Sequence, residues 1–151
     1  MNITIHSRRS IEKLLRTGLP RDVAVISFCD DPSTAVRYGR QAARLYQTVV
    51  PDIQYEDMST CGLNYATYFP DAEAVAAFVY EAVEADMDII CQSEHGISRA
   101  AGCAAALEQY FRQDGIFIFA DHRYLPNKMV FHKLYDALWF HEHGQIGTTT
   151  K

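Results

Sequence analysis

The sequence of 151 residues lacks the features of several specialised classes of protein. It has no long basic segment, since no lysine or arginine cluster exceeds the Arg8-Arg9 pair, and its formal net charge is −5. Broad binding to nucleic acid or to an anionic membrane surface is therefore disfavoured. No stretch approaches the roughly 18 apolar residues that a membrane-spanning helix needs.

Cysteine is sparse, and its spacing is not that of a disulfide framework. Three of the four cysteines lie in apolar, core-like segments, and all four are far apart: Cys29, Cys61, Cys91 and Cys103. Residues 1–6 lack the long apolar segment of a secretory signal peptide. We therefore expect reduced thiols and a soluble, cytoplasmic protein.

The sequence does contain the composition of a globular protein. Hydrophobic residues make up 48% of the chain and charged residues 22%, so little of it is expected to be disordered. The length suits one domain, because domains typically have about 100–150 residues. We predict a single domain over residues 1–143, followed by a flexible C-terminal tail over residues 144–151.

Short apolar runs alternate with helical patterns along the chain. The predicted strands cover residues 3–6, 23–28, 44–50 and 87–91. The predicted helices lie between residues 7 and 18, 70 and 86, 100 and 111, and from 126 onward. Residues 51–64 are predicted to form a long polar loop, and residues 116–120 a strand or a buried connector. The alternation predicts an α/β sandwich with a largely parallel central sheet of about four to five strands.

The segment from Ile89 to Arg99 carries the strongest indication of function. Its pattern predicts a buried strand, a tight loop that contains Gly96, and a helix that opens near Arg99. Successive backbone N–H groups around a helix N-terminus form an anion site, and an arginine at its end can grip two phosphate oxygens. The pattern therefore predicts a phosphate-binding loop that consists of Ser93, Glu94, His95, Gly96, Ile97, Ser98 and Arg99.

This loop resembles the Cys-x5-Arg loop of the protein tyrosine and dual-specificity phosphatases. The order of Tyr68-Phe69, an apolar-striped helix and the strand before the loop is similar to that in dual-specificity phosphatases. Pro126-Asn127 resembles a Pro-Asn pair that such proteins often carry, and the resemblance covers roughly residues 40–140. It implies the fold of these enzymes, hydrolysis of phosphomonoesters without a cofactor or metal, and a phosphorylated protein or a small phosphomonoester as substrate.

Three positions depart from the family pattern. The family has a His where this chain has Gln92, its nucleophilic Cys at Ser93, and a Ser or Thr at Ala100. A serine hydroxyl needs an adjacent base to become a nucleophile, and the side chain of His95, the nearby candidate, is expected to point outward. We therefore expect the chain to be inactive or nearly so. We interpret Ser93 as an engineered Cys-to-Ser change in an active enzyme, and the alternative is a natural pseudophosphatase that binds phosphorylated partners.

The resemblance also implies a general acid, an Asp on a loop some thirty-odd residues before the nucleophile. Asp57 is the first candidate and Asp52 the second, with Arg99 clamping the phosphate. The alternative for Asp57 is a turn residue whose carboxylate accepts from nearby N–H groups. Ser98 is predicted either to donate to the phosphate or to cap the helix. Cys91 is a core residue or, in a parent with the family's Cys, a resolving thiol.

The remaining assignments concern metal binding, other reactions, the substrate and the aromatic residues. The histidines lack the spacing of a zinc site, so we predict no metal. Rhodanese-like sulfur transfer also uses a looped Cys, but the stretch from Gly96 to Arg99 matches the phosphatases better.

Phosphotyrosine, phosphothreonine, phosphoinositide and nucleic-acid 5′-phosphate all stay open as substrates. Several aromatic residues are predicted to be core: Phe117, Phe119, Phe131, Tyr135, Trp139 and Phe140.

Overall fold

The computed structural model describes the backbone of residues 1–149 and the side chains of residues 1–144. The strands are β1 (Ile3–His6), β2 (Val23–Cys29), β3 (Arg44–Val49) and β4 (Asp88–Gln92). The helices in this part of the chain are α1 (Arg8–Thr17), α2 (Ala72–Glu84), α3 (Arg99–Arg112), α4 (Ile116–Ala120) and α5 (Lys128–Thr149). The four strands form one sheet in the order β1-β4-β2-β3, and every pair is parallel. The predicted α/β class and parallel sheet are confirmed.

Strand β2 lies in the interior of the sheet, and all seven of its residues are buried. Its near-continuous apolar sequence is typical of a strand that is covered on both faces. In the register of the sheet, Gln92 of β4 lies between His6 of β1 and Ser27 of β2. Because the strands are parallel, the segments that follow them leave from one edge of the sheet, where α/β proteins commonly bind ligands.

The two faces of the sheet are covered by separate apolar clusters. Ala24, Ile26 and Phe28 of β2 belong to the larger cluster, which also contains the buried residues of α2, α3 and α5. Val23 and Val25 belong to a smaller cluster on the face covered by α1. The alternation follows from the strand, in which successive side chains point to opposite faces.

Helix α3 lies deep in the larger cluster, and its residues from Arg99 to Leu107 are all buried. One of them, Gly102, allows the start of α5 to lie close against α3. A Cβ atom on Gly102 would be 2.5 Å from the carbonyl oxygen of Asn127, which is backbone and cannot turn aside. The predicted stripe on α2 is also buried, and it consists of Ala72, Val75, Ala76, Val79 and Ala82.

Two predictions about apolar segments were wrong. Residues 116–120 form helix α4, not a strand or a buried connector, and the side chain of Phe117 is 70% exposed. A short apolar run does not by itself distinguish helix from strand. Trp139 and Phe140 are 50% and 58% exposed, because the buried face of α5 is formed by Val130, Leu134, Ala137 and Leu138. Phe131 and Tyr135 do pack against the core, as predicted.

Helix α5 begins directly after the Pro-Asn pair, close to its predicted start. It continues to Thr149, and residues 150 and 151 lie outside the described residues, so the predicted tail over 144–151 stays a prediction. Within the described part of the chain, no helix combines the length and the apolar character needed to cross a bilayer.

Candidate functional site

The segment from Ser93 to Arg99, called the 93–99 loop below, is anchored to the junction between β1 and α1. The backbone N–H of Ser93 donates to the carbonyl of His6 at 3.2 Å, and that of Arg8 donates to the carbonyl of Glu94 at 3.0 Å. Gly96 has a φ of +68°, and a Cβ there would lie 2.7 Å from the backbone nitrogen of Ser7. The loop therefore requires glycine both for its left-handed backbone and for its close packing.

The backbone N–H groups of residues 94–99 form a run of six donors that have no acceptor among the described residues. The next amide, that of Ala100, donates to the hydroxyl of Ser93 at 3.2 Å. The run ends where α3 begins, at the end of the helix dipole that attracts negative charge. It can therefore hold an anion, while the convergence of the six N–H groups on a single ligand stays a prediction.

Arg99 is 3% exposed, so it is not the solvated residue that is common at a helix N-terminus. Its Nη1 donates to Oδ1 of Asp30 and to the carbonyl of Val50, both at 2.8 Å. Its Nε is buried and has no hydrogen-bond partner among the described residues. One edge of the guanidinium is thus held by the protein, and Nε, on the other edge, is unpaired in this part of the chain.

The side chain of Ser93 is 2% exposed, and its recorded partner is the amide of Ala100. His95 is exposed, as predicted, and no hydrogen bond joins it to Ser93 in the described structure. None of the residues that the structure describes is therefore placed as a general base for Ser93.

A buried polar network lies under the start of the loop. Oε1 of Gln92 accepts from the hydroxyl of Tyr38 at 2.9 Å and from the hydroxyl of Ser27. Burial raises the pKa of Tyr38 to about 12, so its hydroxyl stays protonated and donates at neutral pH. This network is neutral, and it replaces the imidazole that the family pattern would place at Gln92.

Asp52 is the acidic candidate that the structure brings to the loop. Its Oδ1 accepts from the hydroxyl of Ser98 at 2.6 Å and from Nδ2 of Asn127 at 3.2 Å. Asn127 is held in turn, since its backbone N–H donates to the carbonyl of Ser98 at 2.9 Å. Ser98 makes no side-chain cap on α3, so of its two predicted roles the capping role is wrong.

Asp57 lies in a short 3-10 turn, Tyr55–Asp57, and its side chain is exposed. No hydrogen bond or ion pair joins it to the 93–99 loop in the part of the chain that the structure describes. The structure therefore separates the two acidic candidates: Asp52 contacts the loop, and Asp57 does not.

Sequence reasoning missed the role of Asp30, which follows β2 and pairs with Arg99. It also missed the two roles of Asn127. The Nδ2 of Asn127 donates to Asp52, and the Oδ1 of Asn127 accepts from the N–H groups of Met129 and Val130, both at 3.0 Å. Asn127 thereby caps α5. The usable signal for Asp30 was its position just beyond the end of a central parallel strand, where ligands commonly bind.

All four cysteines are free thiols. The Sγ atoms of Cys91 and Cys103 lie 3.5 Å apart in the core, and burial raises the pKa of the Cys103 thiol. Cys91 is therefore a packed core residue in this structure. Among the described residues, no group of three or more His, Cys, Asp or Glu side chains is arranged to hold a metal ion.

No protein-family model matches the sequence, and no curated protein matches it. Solved structures share its architecture. Human DUSP28 is 18% identical, with 94% of each chain covered and a TM-score of 0.54. The PTP-2 phosphatase of Cydia pomonella is 11% identical, with 90% of this chain and 85% of that chain covered and a TM-score of 0.59. The human tyrosine phosphatase-like serine/threonine/tyrosine-interacting protein is 15% identical, with 89% and 87% covered and a TM-score of 0.53.

The chain therefore has the fold of the tyrosine and dual-specificity phosphatases, over nearly its full length. The resemblance that the loop and its flanking segments predicted is confirmed at the level of the fold.

Proposed function

We propose that the chain binds phosphomonoesters in the 93–99 loop. When position 93 is cysteine, this loop is proposed to catalyse the dephosphorylation of protein phosphotyrosine, or of phosphotyrosine together with other phosphorylated residues. The observation that carries the proposal is the buried Nε of Arg99, which lies at the end of six amide donors; within the described structure, neither Nε nor these amides have an acceptor. A buried donor without an acceptor costs about 1–3 kcal/mol, and a bound phosphate would supply the acceptors.

Each nearby side chain has a role in this proposal. Asp30 and the carbonyl of Val50 hold Nη1 of Arg99, so the guanidinium is oriented before the ligand arrives. We assign the general acid to Asp52 and not to Asp57. Ser98 and Asn127 both donate to Oδ1 of Asp52 and fix the carboxyl group, and its Oδ2 is left to face the leaving group.

With Ser93, the site is proposed to bind without turnover. Cleavage by this loop begins with attack of a thiolate on phosphorus, and the N–H groups at a helix N-terminus favour such a thiolate. The serine hydroxyl is not ionised near neutral pH, and no base lies beside it among the described residues. Replacement of Ser93 by cysteine should therefore be sufficient to produce hydrolysis.

A second candidate function, phosphate-dependent binding by a natural pseudophosphatase, is favoured by the surroundings of Gln92. An engineered trap would change the nucleophile alone, but here the position before it also departs from the family. Gln92 is 1% exposed, and its oxygen accepts hydrogen bonds from Tyr38 and Ser27. A change engineered at position 93 alone would not account for Gln92 and its two buried hydrogen-bond partners, which supports this second candidate.

The decisive experiment compares the chain with its Ser93→Cys variant. We expect the chain itself to bind phenyl phosphate in calorimetry without hydrolysing it, and the variant to hydrolyse p-nitrophenyl phosphate. Ser93→Ala is the matched control without a nucleophile, and Arg99→Lys in the cysteine background should remove hydrolysis because lysine cannot make the planar bidentate contact.

A folded Ser93→Cys variant that binds phenyl phosphate but does not hydrolyse the aryl ester would exclude the enzyme and support the binding function. Absence of phenyl phosphate binding by every variant would exclude both. Thiosulfate consumption by the cysteine variant would instead indicate sulfur transfer.

A further inference from the structure

We infer that the ligand of the 93–99 loop is a phosphorylated polypeptide segment with a basic residue next to the phosphorylated one, and not a ligand that carries several phosphates. This inference rests on the proposed phosphate binding and concerns the surface beside the loop. That surface contains a cavity of about 640 Å³, lined among others by Arg8, Glu12, Asp30, Thr34, Arg37 and Glu94. We call it the acidic cavity.

The acidic cavity adjoins the phosphate site directly. Glu94 belongs to the 93–99 loop, and Asp30 accepts the hydrogen bond from Nη1 of Arg99 at 2.8 Å. A residue that flanks the phosphorylated residue of a bound segment therefore passes the mouth of this cavity. The side chain that enters it experiences the charges of the cavity at short range.

Carboxylates outnumber guanidinium groups in the acidic cavity, three against two. One of the two, Arg8, is already engaged. Its Nε donates to Glu94 at 2.8 Å, its Nη2 donates to the carbonyl of Thr34, and its Nη1 lies 3.8 Å from Glu12. Arg8 is thus unable to receive a second phosphate without giving up these contacts, and Asp30 is paired with Arg99. Arg37 is the lining cation that has no ion pair among the described residues.

The carboxylates remain open to solvent in spite of these pairs. The side chains of Glu12, Glu94 and Asp30 are 50%, 40% and 62% exposed. Each can accept a further hydrogen bond from an incoming lysine or arginine. A basic side chain fits the chemistry of the acidic cavity, whereas a second phosphate would meet like charge.

Phosphate binding would strengthen this preference. When the dianion engages Arg99, the guanidinium charge that compensates Asp30 is shared with the ligand. The field in the acidic cavity then becomes more negative, which favours a cation there and opposes a polyphosphorylated headgroup or a nucleic-acid backbone.

Two exposed apolar side chains at the loop suit a polypeptide as well. Ile97 and Leu125 are 42% and 74% exposed, and the N–H of Leu125 donates to the carbonyl of Ile97 at 3.0 Å. Two adjacent apolar side chains beside the phosphate site can bury an apolar residue of a segment. An inositol or sugar-phosphate ligand has no such group to offer.

The test uses the chain as it is, since Ser93 should prevent turnover. Calorimetry compares phenyl phosphate, inositol bisphosphate, a 5′-phosphorylated dinucleotide and two phosphotyrosyl peptides that differ by Arg or Glu beside the phosphotyrosine. We expect the Arg peptide to bind about three- to tenfold more tightly than the Glu peptide at low salt. Inositol bisphosphate and the dinucleotide should bind no more tightly than phenyl phosphate.

Two variants in the acidic cavity should shift, in opposite directions, the ratio of the affinity for the Arg peptide to the affinity for the Glu peptide. Glu12→Gln removes a carboxylate and should lower the ratio, and Arg37→Gln removes a cation and should raise it. Glu84→Gln, an exposed carboxylate at the end of α2, is the matched control and should leave the ratio unchanged. A folding defect cannot produce two shifts of opposite sign.

The outcomes separate this inference from the proposed function. If phenyl phosphate does not bind, the proposed function itself fails. If phenyl phosphate binds but the two peptides bind equally, or the variants do not shift the ratio, the inference is overturned and phosphate binding stands. Tighter binding of inositol bisphosphate or of the dinucleotide than of the Arg peptide overturns it in favour of a polyanionic ligand.

Discussion

Replacement of Gly96 by alanine tests whether the 93–99 loop needs glycine for its backbone alone or also for its contact with the start of α1. Gly96 has a φ of +68°, and its added Cβ would lie 2.7 Å from the nitrogen of Ser7 and 2.9 Å from the carbonyl carbon of His6. Gly39 has a similar φ of +59°, but nothing lies within 4 Å of its added Cβ. The pair therefore isolates the steric contribution.

The magnitudes follow from these two environments. A left-handed backbone costs alanine about 1 kcal/mol at either position. The Cβ of Gly96→Ala also meets backbone that is fixed on both sides, because Ser7 caps the start of α1 and the N–H of Arg8 donates to the carbonyl of Glu94. Overpacking of this kind costs about 1–3 kcal/mol more. We expect Gly96→Ala to lower the free energy of unfolding by about 2–4 kcal/mol and Gly39→Ala by about 1 kcal/mol.

Urea denaturation followed by the fluorescence of Trp139, the single tryptophan, measures both free energies. Thermal melting provides a second readout, in which about 1 kcal/mol corresponds to 2–4 °C at this size. Below the melting temperature, Gly96→Ala should also bind phenyl phosphate more weakly, and Gly39→Ala should not. Equal destabilisation by the two variants would refute the close packing of the loop against Ser7.

Three further predictions concern the acid, the helix cap and the buried phenol. In the Ser93→Cys background, Asp52→Asn should lower kcat for hydrolysis of phenyl phosphate by about 10²-fold or more, as measured by phosphate release. Asp57→Asn should leave this kcat unchanged. The reverse result would restore Asp57 as the general acid. Asn127→Ala removes the cap of α5 and a donor to Asp52. It should lower the free energy of unfolding, measured by urea denaturation, by about 1–3 kcal/mol. An unchanged midpoint of denaturation would contradict the capping role. Burial raises the pKa of Tyr68 to about 12, so the unfolded chain ionises first above about pH 10 and stability should fall between pH 10 and 12. This fall, measured in urea, should be smaller in Tyr68→Phe; an identical fall would show that Tyr68 does not contribute.

Local sequence patterns were sufficient for most of the secondary structure. Helix α1 is capped by Ser7, whose hydroxyl accepts from the N–H of Ser10, and it ends at Gly18, at a φ of 102°. Both signals lie within the helix's own ends, so they can be read without knowledge of the fold. The apolar run of β2 likewise indicates its own position inside the sheet. Helix α4 was missed because a run of five apolar residues carries no periodicity of its own.

The candidate site could be predicted only in its contiguous part. Six residues separate Ser93 from Arg99 along the chain, so the spacing itself predicts a loop closed by an arginine. The choice between Asp52 and Asp57 depended on the path of the segment after β3. The family resemblance made Asp57 the first candidate, while in the structure Asp52 accepts a hydrogen bond from Ser98.

By itself, the sequence determined the fold class, most of the order of strands and helices along the chain and the segment that we propose binds an anion, because each depends on residues that are neighbours along the chain. Only the tertiary structure decided which distant side chains surround that segment. Asp30, Asp52 and Asn127 come from three separate segments and meet at the 93–99 loop. They meet because β2 and β3 run parallel to the strand before the loop and Gly102 lets α5 begin beside it. Contacts of this kind follow from strand order and helix packing, which no local pattern encodes.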